Sequence, residues 1–541
     1  MYSRRELLRL TGGAIVGAAV KPTTVVNGHQ TGNGQPFVIG QPEAALVGQE
    51  VLEAGGNAVD AAVAAALAAG VAALPACGIG GYGGHVVIAL GGKVTAIDFN
   101  TAAPHAARPD MFPLHENGAV RGGRNSRGWL SAGVPGTLAG LQLAADRYAT
   151  QSFSKLLQPA IRLARDGFPL RAGQVNAIRS ARAELLEDPA AARVLLKDGD
   201  APPAGSTLRN PDLASLLEAL ANDGSVARFY EGSIARQIAA AFKKNGGLVT
   251  ERDLRDYRAR EVAPLEFDWR GYSIRTAPLP AGGASVLQAL GILRALGWER
   301  FAAGSSEDLH ARLEAVRLAW DDRLALFGDP LHVDVPLAKL LSEPHAKEQA
   351  IQVDKAVREG TRVTTRSRGG LGGGTVHLSV ADRAGNLVAL TMTHGDGFGA
   401  RVMVDGLGLL LGNGMARFEP RPGHPNSVGS GKRPLTNMCP TIVLRDGRPV
   451  LALGGAGFRM IPNAVFEVLT RYVGRDATLE ESIAAPRIGT DGGPTVSIEP
   501  ASGGDAVLLR KWGYTITEAP IATANGVSFD PATGASRGAM R

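Results

Sequence analysis

Two alternating runs in the middle of the chain pair well in only one register, and that register ties a sheet to Thr375. Val376, Leu378 and Val380 alternate with Thr375, His377 and Ser379, and the run from Leu387 to Thr393 alternates likewise. With Arg383-Ala384-Gly385 as a three-residue loop and Gly385 left-handed, Val380 faces Val388, Leu378 faces Leu390 and Val376 faces Met392. A slip of one residue sets Val376 against Thr393 and Leu378 against Thr391, which the period of two disfavours. The matched register puts Thr393 opposite Thr375.

Thr375 also follows a Gly-rich stretch, Arg368-Gly369-Gly370-Leu371-Gly372-Gly373-Gly374, where a chain could cut itself. Cleavage of the Gly374-Thr375 bond would give Thr375 its own α-amine, of ordinary pKa about 8, able to take the hydroxyl proton. One residue would then supply nucleophile and base. A hydroxyl from Thr393 beside that amine would orient it, on rigid strands. From pattern alone an ordinary hairpin with threonines on its wetter face is the simpler reading.

Further blocks extend the pattern along the chain. They are Gly55-Gly56-Asn57-Ala58-Val59-Asp60-Ala61-Ala62, Gly78-Ile79-Gly80-Gly81, Asp98-Phe99 with Ala103-Pro104, and Gly133-Val134-Pro135-Gly136-Thr137. After these come Phe229-Tyr230-Glu231-Gly232, Gly246-Gly247-Leu248-Val249-Thr250 with Asp253-Leu254, Leu318-Ala319 with Asp322-Arg323, and Gly328-Asp329-Pro330. Thr375 with His377 and Ser379, Lys432-Arg433-Pro434-Leu435 and Pro440-Thr441-Ile442-Val443 complete the series. From about residue 42 to near 493 the chain resembles the γ-glutamyltranspeptidase family of N-terminal nucleophile hydrolases. The resemblance implies an α+β fold, an αββα four-layer sandwich formed jointly by two fragments of one autoprocessed chain. Residues 26–374 would be the large, helix-rich fragment and 375–541 the small one, a heterodimer cut from one polypeptide. It further implies Thr375 as nucleophile, Thr393 as its companion, and an oxyanion site at the amides of Gly457 and Phe458, ahead of a helix start. At the second of these positions the family has a glycine, with its freedom at positive φ.

The departures from the family cluster in the substrate pocket. The arginine that grips the substrate's α-carboxylate corresponds to Asn100, and the asparagine, glutamine and aspartate around its α-amine correspond to Gly395, Gly414 and Arg417. The family's serine pair becomes Thr436-Asn437, which keeps hydrogen-bonding ability in another shape. An aspartate-to-arginine exchange should repel an ammonium once welcomed there, although Asp396, next to Gly395, could recover it. The expected activity is cleavage of an amide in a small peptide-like molecule through a threonine acyl-enzyme, with an altered acyl pocket and no cofactor. The alternatives are an ordinary γ-glutamyl hydrolase or transpeptidase acting on glutathione-like substrates, and a non-catalytic binding relative.

Hydrophobic content of 45% and charged content of 20% are those of a globular protein, and a net charge of +6 over 541 residues, without a Lys/Arg run, disfavours nucleic acid as a partner. Ser3-Arg4-Arg5-Glu6-Leu7-Leu8 and the apolar segment after it resemble a twin-arginine export signal over residues 1–25, consistent with a periplasmic protein. Residues 61–77 are uncharged but alanine-rich, better read as a buried helix than as a membrane span. Cys77 and Cys439 are expected as buried thiols. Gly78-Ile79-Gly80-Gly81-Tyr82-Gly83 matches a dinucleotide fingerprint, but a helix precedes it and a strand follows, the reverse of the order that motif needs. His377, His394 and Asp396 offer three candidate metal ligands without a fourth, so no metal site is expected.

Helical patterns cover about 43–73, 138–166, 212–220, 233–244, 284–296 and 307–326, and hairpins are expected at 85–99, 375–393 and 441–453. The first hairpin should join the two later ones. Residues 419–432, rich in Pro, Gly, Ser and Asn, read as a surface loop able to cover the site.

Overall fold

The strands Gly374–Ala381 and Leu387–Gly395 form the centre of a six-stranded sheet, with Val380 against Val388, Leu378 against Leu390 and Val376 against Met392. The protein is described from a computed structural model over residues 36–366, 374–499 and 503–541, so the export pattern and most of the Gly-rich stretch lie outside the described residues. The connecting turn is the expected three residues, Arg383-Ala384-Gly385, closed by a bond from Asp382 N to Asn386 O of 3.1 Å, and Gly385 takes φ 79°. The Asp382 carboxylate accepts the amides of Ala384 at 2.9 Å and Asn386 at 3.0 Å, and also that of Ala58, at 3.0 Å, where a helix begins.

One expected pair is not formed. The register shifts between Met392 and Gly395, so the next partners are Gly395 and Gly374 rather than Thr393 and Thr375. The Thr393 hydroxyl accepts the Gly395 amide at 2.8 Å, so a side chain occupies a donor in the bulged stretch.

The first sheet runs in the order Phe37–Ile39, Gly374–Ala381, Leu387–Gly395, Gly83–Leu90, Lys93–Asp98, Arg260–Val262. The second runs Ser536–Met540, Thr523–Phe529, Arg448–Ala456, Thr441–Arg445, Tyr272–Thr276, Leu265–Trp269. The period of two sorts their side chains into three buried layers. Val376, Leu378, Val380, Val388 and Leu390 pack on helices that include Ala58–Ala72 and Phe153–Asp166. Val87, Ala389 and Leu387 meet Ile442, Ala452 and Val527 between the sheets. Ile274, Val443, Leu451 and Leu453 pack on Gly283–Leu296, Ser306–Leu326 and Ile461–Tyr472. This is the expected αββα sandwich, and both sheets draw strands from either side of Gly374.

The hairpin expectation needs correcting. The Gly83–Asp98 pair joins the Thr375 hairpin, but Thr441–Ala456 belongs to the second sheet beside Leu265–Thr276. Consecutive Ile442, Val443 and Leu444 are apolar on both faces because that hairpin is covered on both sides. The helical run at 43–73 is two helices, Pro42–Glu53 and Ala58–Ala72, separated by Gly55-Gly56-Asn57. Asn57 caps the second, accepting the amides of Val59 and Asp60 at 2.9 Å each. Every residue of Ala58–Ala72 is buried, and among the described residues no helix is long and apolar enough to cross a membrane. Likewise 138–166 divides into Thr137–Tyr148 and Phe153–Asp166, with Ser152 as the cap of the second.

Candidate active site

The bulge leaves the two threonine side chains in contact although their backbones are out of register. Thr375 Oγ1 lies 3.4 Å from Thr393 Oγ1 and 2.7 Å from the carbonyl oxygen of Gly374. The Thr393 hydroxyl donates to that same oxygen. With the Gly395 amide donating into Thr393 Oγ1, a chain of bonds runs from backbone through hydroxyl to the Gly374 carbonyl. Donors that converge on one carbonyl polarise it for attack.

A cleft opens at this point, lined by Thr375, Thr393, Gly395, Arg417, Thr436, Asn437 and Phe458, together with Tyr82, Met438 and Ile461. It thus gathers seven of the residues singled out in the sequence. Thr436 Oγ1 accepts the amide of Met438 at 3.0 Å, and Asn437 Oδ1 accepts from Arg323 at 3.3 Å. Arg417 closes one wall: its Nη2 is 2.7 Å from Asp396 Oδ1, and its guanidinium lies 4.1 Å from the ring centroid of Phe458. Asp396 accepts a second bond, 2.7 Å from Asn413 Nδ2. Its carboxylate is therefore engaged on both oxygens.

Asn100 and Gly414 stand behind this wall rather than on it. Asn100 is buried, donating from Nδ2 to Pro434 O at 2.8 Å and from its amide to Asp98 Oδ1 at 2.9 Å. Gly414 opens the short turn Gly414–Arg417 against Thr101, whose Cγ2 would lie 2.3 Å from any added Cβ. A larger side chain would displace the turn that carries Arg417.

Gly457 has φ 143° and Phe458 φ 60°. Phenylalanine therefore adopts the left-handed conformation that glycine would take more freely, held where its ring stacks on Arg417. Among the described residues neither amide donates to a backbone carbonyl of a loop or turn, and a short 3-10 turn, Phe458–Met460, leads from them into the helix Ile461–Tyr472. That is the geometry of an anion-binding turn.

Tyr82, Met438, Ile461 and Asn413 were not anticipated. Tyr82 was within reach of the register argument, since Gly83 pairs with Thr393 on the neighbouring strand. The other three come from loops and a helix start that no periodicity marks.

His377 and His394 are buried, and burial pushes each imidazole down to about 3, so both are neutral. His377 is bonded to Thr391 at 2.7 Å and to Ser379 at 3.1 Å, a sheet residue with its partners made. The His394 ring packs on Gly78, and among the described residues no group of three or more His, Cys, Asp or Glu could hold a metal. Cys77 and Cys439 are buried free thiols. The Gly78–Gly83 glycines do lie between a helix and a strand. Residues 419–432 are a loop exposed at Arg421, Pro422, Gly423 and Ser430 and anchored by buried Asn426, Ser427, Val428 and Lys432, with Asn426 donating to Arg417 O at 2.7 Å and Lys432 to Ser427 O at 3.0 Å.

The family model for gamma-glutamyltranspeptidase matches residues 44–539. Over 469 residues the chain is 36% identical to the glutathione hydrolase proenzyme of Pseudomonas sp. (strain A14), covering 83% of this chain and 80% of that protein. Over 512 residues it is 34% identical to the acylase ACY 1 proenzyme of Pseudomonas sp. (strain V22), covering 93% and 91%. The crystal structure of cephalosporin acylase from Bacillus halodurans superposes with a TM-score of 0.85 at 27% identity, covering 95% of this chain and 94% of that one.

Proposed function

Because the chain belongs to the γ-glutamyltranspeptidase family, enzymes of the N-terminal nucleophile hydrolase fold made as proenzymes, we propose that it is an autoprocessing amidohydrolase or acyltransferase with Thr375 as its nucleophile and an acyl pocket no longer built for γ-glutamyl groups. The observation that carries this reading is the pair of hydroxyls, Thr375 and Thr393, on the Gly374 carbonyl oxygen.

In maturation, Thr375 Oγ attacks the Gly374 carbonyl carbon while Thr393 and the Gly395 amide behind it support the developing oxyanion. The C–N bond breaks, its nitrogen takes the hydroxyl proton and becomes the α-amine of Thr375, and water hydrolyses the resulting ester to leave a Gly374 carboxylate. In turnover the same amine takes the Thr375 proton, Oγ attacks the substrate amide, and the amides of Gly457 and Phe458 receive the oxyanion. The departing amine leaves with the proton. Water, or an amine acceptor, then releases the acyl group.

The pocket's preference follows from charge. A γ-glutamyl group carries a carboxylate and an ammonium on one carbon, and here the cleft wall offers the Arg417 guanidinium where an ammonium would need an acid. Asp396 is a poor replacement for that acid, because its charge is already compensated by Arg417 and its other oxygen is bonded by Asn413. Each ~1.4 kcal/mol of misplaced charge is tenfold in kcat/KM.

Two measurements test the reading. Intact masses of the purified protein should reveal a fragment running from Thr375 to Arg541, and Thr375→Ala should remain a single chain; a different new N-terminus sinks the assignment. Cleaved enzyme should hydrolyse a glutaryl anilide faster than the matching γ-glutamyl anilide, and Arg417→Asp should narrow or reverse the ratio. Preference of the unmutated enzyme for the γ-glutamyl compound would restore ordinary γ-glutamyl hydrolysis as the function.

A further inference from the structure

Residues 361–366 belong to neither helix nor strand, yet four charged side chains of the helix Ser306–Leu326 hold them in place. Glu314, Arg317 and Asp321 follow one another at spacings of three and four, with Asp322 beside the last, so they form a row along one side of that helix. Glu314 accepts the amide of Val363 at 3.0 Å, and Arg317 donates to the carbonyl of Val363 and the hydroxyl of Thr365 at 3.1 Å each. Arg366 ends the row. Its amide and its Nε donate to the two oxygens of Asp321 at 2.6 and 2.9 Å, and its Nη2 donates to Asp322 Oδ1 at 3.1 Å.

The inner part of the row has a structural reason. Thr365 also donates to Gly492 O at 2.9 Å and Arg317 to Gly493 O at 3.2 Å, which fastens the chain before Gly374 to the chain after it. Arg366 differs, because its side chain is 60% exposed and its partners among the described residues, Asp321 and Asp322, both lie upstream of Gly374. Ion pairs of so exposed a group add little stability. Three bonds from one residue to two adjacent carboxylates do fix a direction.

Direction matters at this point in the chain. Seven residues, 367–373, join Arg366 to Gly374, and four of them are glycines. Glycine-rich chain has little persistence of its own, so the last anchor upstream limits where the N-terminal side of Gly374 can go. The other side is already fixed, since Gly374 pairs with Gly395 and its carbonyl oxygen accepts from Thr375 and Thr393. Attack on that carbonyl carbon needs a near-attack geometry, which an anchor on each side holds better than one alone.

We propose that Arg366 is a positioning residue for self-cleavage, which through its clasp on Asp321 and Asp322 presents the Gly374 carbonyl to Thr375 and is dispensable once the bond is cut. The proposal rests on Thr375 as the nucleophile, as given under Proposed function. In the step it serves, Thr375 Oγ bonds to the Gly374 carbonyl carbon, the C–N bond breaks, its nitrogen takes the hydroxyl proton, and water hydrolyses the ester. Arg366 does not line the substrate cleft, so turnover has no direct need of it.

The test times the appearance of the fragment beginning at Thr375 during cell-free translation of the full chain. Arg366→Ala should lengthen the half-time of cleavage about tenfold or more, and Arg366→Lys, which keeps the charge and loses the fork, should recover part of that. Asp321→Asn should slow cleavage as well, and the double variant Arg366→Ala/Asp321→Asn should be no slower than the slower single one, because both remove the same contact. Once cleaved, Arg366→Ala should match wild type within about twofold in kcat/KM on glutaryl or γ-glutamyl p-nitroanilide, whichever wild type prefers, with an unaltered thermal midpoint. A half-time equal to that of wild type overturns the role of Arg366. So does a delay accompanied by an equal loss of turnover or by a lowered midpoint, which would make the clasp a support of the fold alone. Either result leaves Thr375 as the nucleophile, whereas wild-type protein that stays whole, or is cut elsewhere, overturns both assignments.

Discussion

Thr393 stands at two steps, because its hydroxyl touches the Gly374 carbonyl of the intact chain and the Thr375 hydroxyl beside it. Loss of that hydroxyl should therefore slow both maturation and turnover. Thr393→Val preserves the shape of the side chain, so folding should be little affected while kcat/KM per cleaved molecule falls by about 10²-fold or more, the range of a positioned acid-base contact. Thr393→Ser, which restores the oxygen, should recover most of it. Undiminished turnover in fully cleaved Thr393→Val would remove this residue from the mechanism. Phe458 shows the opposite economy of means: a residue with a side chain sits at φ 60°, and the ring it adds packs against Arg417. Backbone strain there is coupled to the charge that shapes the pocket.

At the level of elements, the hairpin around Thr375 presses directly on the second sheet. A Cβ added to Gly454 would lie 2.2 Å from His377 Cε1, and that ring is fixed by bonds to Thr391 and Ser379. Gly454→Ala should therefore destabilise the protein by about 1–3 kcal/mol, read as a lower denaturation midpoint, because neither sheet can retreat without opening the layer between them. An unchanged midpoint would mean that the two sheets slide easily at this point. The same elements mark what the sequence could and could not disclose. The hairpin register was legible because Val376, Leu378 and Val380 find apolar partners in one alignment only, and the two threonines of the site followed from it. The bulge at Thr393 was not, because it depends on a hydroxyl competing with the backbone ladder for the Gly395 amide. The sheet to which Thr441–Ala456 belongs was equally hidden, since a strand buried on both faces loses the alternation that would orient it. Asn100, Gly414 and Arg417 were marked by family resemblance. Their local patterns did not disclose that only Arg417 of the three lines the cleft.

Across the whole molecule, the first described strand, Phe37–Ile39, pairs with the strand that begins at Gly374, and the Phe37 ring lies against Gly538, where an added Cβ would be 2.1 Å from Cε1. The two ends of the described chain thus meet at one corner of the sandwich, close in space to the strand that carries the nucleophile. This adjacency makes the order of the polypeptide exchangeable. A circular permutant could begin at Thr375 behind a removable initiator methionine, run to Arg541, cross a short linker to residue 36 and finish at Gly374. Such a chain carries the free α-amine from the start, so it should hydrolyse substrate without ever cutting itself, at a rate comparable to the matured enzyme. A folded permutant with Thr375 at its N-terminus and no activity would mean that self-cleavage supplies something beyond an exposed amine. An active one would separate the birth of the catalyst from its chemistry, making peptide-bond scission a matter of where translation happens to start.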